Sequence, residues 1–145
     1  MAFRFALATL LRLRESMEKR EELKLEAIQS EIGRLRRLID ALDAEIAADH
    51  QALQKSLQNP TEARVVQLTL NQIQEKVQQG RDLLLRVEQL LLKQKEQLKV
   101  YRAAARARQV LSDMHAQKRT EYDEGQIRAQ QKFLDDIFAS RSQRR

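Results

Sequence analysis

From Leu25 the apolar positions run Leu25, Ile28, Ile32, Leu35, Ile39, Leu42 and Ile46. The steps alternate between three and four residues without a miss, which is the seam of a coiled coil. A second seam follows at Val66, Leu70, Ile73, Val77, Gly80, Leu84, Val87, Leu91, Gln94, Leu98 and Tyr101. Its phase survives Gly80. The glycine therefore reads as a small seam residue inside a continuous helix, at a cost of ~1 kcal/mol relative to alanine. The competing reading makes Gly80 the C-terminal cap of a short middle helix.

Between the two seams lies the only proline, in the sequence Asn59-Pro60-Thr61-Glu62. Asparagine is a good N-cap, and proline at the first helical position loses only an N–H that had no partner there. Glutamate two residues later can close a capping box. The proline thus starts a helix, and the helix before it ends near Leu57. The expected fold is all-α: a long antiparallel two-helix coiled-coil hairpin with the second helix the longer. Residues 1–145 form a single domain, with helix one over about 3–57, the turn at 58–60 and helix two over about 60–140.

Unequal arms leave an overhang. At 1.5 Å per residue, helix one spans ~80 Å and helix two ~120 Å. A tight turn makes partners across the seam sum to about 118, which puts Phe3 near His115. Beyond that level Ile127, Leu134, Ile137 and Phe138 share one helical face, with Phe133 beside them, and have no partner within the chain. All four phenylalanines, Phe3, Phe5, Phe133 and Phe138, lie near the chain ends. In the competing equal-armed arrangement the middle refolds and the two ends pack on each other. Upstream in helix one, Leu10, Leu13 and Met17 reach Leu25 only through Glu21, a stutter that would locally unwind the supercoil. At the matching level of helix two Ala103, Ala104, Ala105 and Ala107 imply thin, close packing. Arg102, Arg106 and Arg108, with Arg4, Arg12 and Arg14 on the other arm, make that end basic, while acidic charge gathers in Glu15, Glu18, Glu21, Glu22 and Glu26.

Composition narrows the function. One third of the residues are charged and only 4% are aromatic, a bias of long helices and not of a compact catalytic domain. No cysteine is present, which removes disulfides and thiol chemistry. The histidines, His50 and His115, have no cluster at metal-ligand spacing. Asp123 and Glu124 are adjacent and point different ways on a helix, so no acid/base pair forms. An enzyme is not expected, and no cofactor is implied. The net charge of +6 raises nucleic acid as a partner. Base-stacking aromatics and a recognisable binding module are both missing, so an acidic protein surface is the better counterpart. The opening "MAFRFALATLLRLR" is broken by Arg4 and too short to span a bilayer, so no membrane insertion is expected.

The opening "FRFALATLLRLRESMEKREE", the stretch "RLRRLIDALD" and the closing "QQKFLDDIFASR" resemble the FliJ family of flagellar type III export proteins, over essentially the whole chain. The resemblance implies a non-enzymatic cytoplasmic stalk, similar to that of rotary ATP synthases, at the cytoplasmic face of the inner membrane. Its partners would be a hexameric flagellar export ATPase, whose pore receives the hairpin ends, the cytoplasmic domain of the export gate, and export chaperones. Carried onto this sequence, the ATPase contact falls on Phe3, Phe5, Arg102, Arg106, Arg108, Phe133, Leu134, Ile137 and Phe138. The gate contact falls on Leu38 and Ile73, although Ala41, Glu45 and Thr69 stand where some relatives have aromatic residues. A hairpin whose seam closes internally would be monomeric when free. A virulence export stalk and a general coiled-coil adaptor that homodimerises are the alternatives.

Overall fold

The computed structural model describes residues 2–58 and 62–144, all of them helical or irregular, with no strand among them. Two helices, α1 (Ala8–Gln58) and α2 (Ala63–Gln143), pack against each other as a helical hairpin with the longer helix second. The proposed cap at Asn59 and Pro60 lies outside the described residues. The carbonyl of Glu62 accepts the N–H groups of Val65 and Val66 at 3.0 and 3.5 Å, at the start of α2. α2 runs unbroken through Gly80, whose backbone has no positive φ, and the short middle helix is therefore absent. A Cβ placed on Gly80 would meet nothing within 4 Å. Gly80→Ala is accordingly expected to raise the unfolding free energy by ~1 kcal/mol, through helix propensity alone, in a urea titration followed by circular dichroism.

The contacts divide the chain into two compact units, Glu22–Val100 and Met1–Glu21 with Tyr101–Arg145. In the first unit, Ile32, Leu35, Val87 and Leu90 are buried, with Ile28, Ile39 and Leu83 packed around them. On α1 the seam from Leu25 to Ile46 is the one read from the sequence. On α2 it is displaced at three positions, where Thr69, Leu83 and Leu90 turn inward and Leu70, Leu84 and Leu91 are exposed, while at two others Val77 and Leu98 stay half-buried beside Lys76 and Gln97. The shared positions, Val66, Ile73, Gly80, Val87, Gln94 and Tyr101, all stay on the inner face. Leucine triplets at 83–85 and 90–92 satisfy either frame, so apolar spacing alone does not separate them. Lys76 fits an inner position because its stem packs along the seam while its ammonium reaches Asp49 at 2.7 Å and Glu45 at 3.5 Å. The hydrogen bond to Asp49 raises its pKa above the ordinary lysine value. The pair therefore contributes fully below the ordinary lysine range and is lost as pH climbs through the raised value.

In the second unit the expected stutter does not occur. Leu10, Leu13 and Met17 are exposed, and Leu7, Leu11, Arg14, Glu18 and Glu21 face inward in unbroken steps of three and four. Charged residues keep the phase here. Arg108 Nε donates to Glu18 Oε2 at 2.6 Å and its Nη2 to Oε1 at 3.4 Å, a two-point pair beside the half-buried Ala104, Ala105 and Ala107. The acidic and basic groups that the sequence seemed to segregate thus meet across the seam. Helix one was also expected from about residue 3, but residues 2–5 are not helical. Phe3 and Phe5 stand two apart, a spacing that puts both on one side of an extended segment and on opposite sides of a helix. Extended, both rings reach His115, at 5.4 and 5.1 Å between centroids, and this packing outweighs the helix.

Candidate functional site

Past Tyr122 every described residue of α2 is exposed except Ile137. Among the described residues α1 does not cover this stretch, and the ring of Phe3, in the N-terminal segment, lies 5.5 Å from that of Tyr122. The helix persists through local terms. Arg119 pairs with Asp123 and Arg128 with Glu124 four residues apart, both at 3.5 Å, and the run holds no proline.

The exposed face is apolar and basic. At 100° per residue, Phe133, Leu134, Ile137 and Phe138 share one side with Arg141 and Arg144, and Asp135 and Asp136 fall on the other. Phe133 and Phe138 are 65% and 66% exposed, which is unusual for phenylalanine and makes this face the candidate docking surface. Such a face has no groups for bond chemistry. It can dock, with aromatic anchors buried in a partner's pocket and the two arginines on acidic neighbours.

The other residues proposed for that contact are arranged differently. Phe3 and Phe5 are half-buried in a ring cluster with His115 and Tyr122, and the Arg119 guanidinium sits 5.1 Å from the centre of the Phe3 ring. Arg102 and Arg106 are exposed. Arg108 is not: its guanidinium is committed to Glu18, and that hydrogen bond raises its pKa further above the usual arginine value. The proposed gate residues also part company. Leu38 is exposed on the rim of a groove of about 420 Å³ shared with Ala41, Leu42, Glu45, Gln79, Asp82 and Leu83. Ile73 is 6% exposed and belongs to the seam.

Sequence spacing alone missed this groove and the Arg119 contact with Phe3. The alternating Phe3 and Phe5 were the available signal for an extended N-terminal segment. In comparisons with protein-family models, curated proteins and solved structures, the chain matches none.

Proposed function

We propose that this chain is a non-enzymatic stalk of a flagellar type III protein export system, docking its overhanging end into a hexameric export ATPase. The observation that carries the reading is the uncovered face Phe133, Leu134, Ile137 and Phe138 on a helix that outruns its partner. A ligand that binds the assembled ring better than loose subunits drives assembly by mass action, so the stalk would promote both ring formation and nucleotide turnover. Arg102 and Arg106 would steer the approach to an acidic pore, and Arg108 would hold the seam. Leu38 and its groove would contact the cytoplasmic domain of the export gate, and the same chain would escort export chaperones. Its place would be the cytoplasm, at the inner face of the membrane; no described helix is long and apolar enough to cross a membrane. The stalk of a virulence export system is the neighbouring reading, because the same uncovered end serves it equally.

The experiment is binding to the purified ATPase across a salt series. Replacing Arg102 and Arg106 with Glu is expected to weaken docking about ten-fold or more at low salt and much less once the Debye length falls to ~3 Å. Unchanged binding at every salt concentration would remove these residues from the contact.

A further inference from the structure

The frame displacement on α2 leaves apolar residues that the hairpin covers only in part. Leu70, Leu84 and Leu91 are exposed at heptad positions beside the seam, and Val77 in the same row is half-buried. Leu84 is 50% exposed, and the adjoining Leu85 and Leu92 are 58% and 67% exposed. The exposed leucines extend over about 22 residues, or ~33 Å of helix, within the unit Glu22–Val100. Two heptads of outward leucine on both sides of one line exceed what a helix face needs for solubility.

The charges on that line indicate what covers it. Arg81 and Glu88 lie between the two leucine rows, with Lys95 one heptad further, and all three are exposed. In a parallel pair of such helices each charge would meet its own kind. The same conflict arises in an antiparallel pair centred on Arg81, and one centred on Glu88 would also set Arg81 against Lys95. An antiparallel pair whose two-fold axis passes between Leu84 and Leu85 removes every conflict. Arg81 then faces Glu88 of the second copy, twice over, Leu84 faces Leu85, and Val77 faces Leu92. Opposite charges that alternate at the spacing of the apolar row make the surface complementary to itself, as a two-fold interface requires.

We propose that the hairpin self-associates through this face, α2 against α2 and antiparallel, leaving the uncovered C-terminal face outside the contact. The inference departs from the monomer expected of a hairpin whose seam closes internally, and its test needs the chain alone.

The test is sedimentation equilibrium of the full chain, from low to about 200 µM, with charge reversals at the two positions. Wild type is expected to show a concentration-dependent dimer. Arg81→Glu alone and Glu88→Arg alone should each weaken it roughly ten-fold or more, because two attractions become two repulsions, and the double reversal should restore it. The residues are seven apart in one chain, so no intrachain contact accounts for such a rescue. Leu85→Gln with Leu92→Gln should abolish the dimer, with helix content and melting unchanged at concentrations where wild type is monomeric, because both side chains are exposed in the single chain. A chain that stays monomeric throughout the range leaves the row to a helix of some other protein and overturns the proposal. A dimer indifferent to the reversals, or one that the double reversal fails to restore, overturns it equally.

Discussion

Changing Leu134 and Phe138 together to Ser is expected to abolish stimulation of the export ATPase while leaving thermal unfolding of the chain nearly where it was. The two side chains are 52% and 66% exposed, and the transfer free energy lost from a side chain already in water is small. If they anchor in a partner's pocket, the same change removes two hot-spot side chains, each worth ~2 kcal/mol or more on binding. Stability and function should therefore separate. Steady-state ATP hydrolysis with increasing amounts of each chain, beside a melting curve, reads both. Early unfolding of the variant with stimulation intact would mean that the stripe is core and not a docking face.

The opposite separation is expected at Leu35. It is 2% exposed and sits among Ile32, Val87 and Leu90, the tightest part of the hairpin. Leu35→Ala removes buried methyl groups and leaves a cavity, which typically costs roughly 2–5 kcal/mol. The remaining core is one narrow seam, so a loss of this size is a large fraction of the stability of a small protein. A urea titration should show the midpoint fall steeply, and the variant that remains folded at low temperature should still stimulate the ATPase. Leu38→Ala, three residues away and 42% exposed, is the control and should cost far less.

The contrast between Leu35 and Leu38 also shows what the sequence made legible. On α1 from Leu25 to Ile46 only one apolar stripe exists, so the periodicity names the buried face uniquely. On α2 the leucine triplets supply two stripes one residue apart, and cross-seam geometry chooses between them; the inward lysine at 76, held by Asp49, has no apolar signal at all. The same ambiguity explains the false stutter. Arg14, Glu18 and Glu21 occupy seam positions where apolar residues were sought, and Leu10, Leu13 and Met17 drew the frame outward. Glu18 belongs there because Arg108 meets it, a pairing ninety residues away in sequence that no local pattern carries.

The overhang was legible for a simpler reason. α2 continues well past the level at which Phe3 meets Tyr122, and this follows from the position of the one proline in the sequence. The ring cluster at Phe3 was only half legible: its contact with His115 follows from the fold-back, whereas the extended backbone that makes it follows from the two-residue spacing of Phe3 and Phe5. Arg108 looked like one of three equivalent surface arginines, and only its partner distinguishes it.

The central claim is that the uncovered end of α2 organises a ring. Its most direct measurement is the mass distribution of the ATPase, at a concentration where its subunits are mostly dissociated, with the full chain added and with a chain ending at residue 122. The account predicts that the full chain shifts subunits into hexamers carrying one stalk each, and that the shortened chain, its hairpin intact, leaves them dissociated. Hexamers formed equally well by the shortened chain, or no shift with the full one, would contradict it.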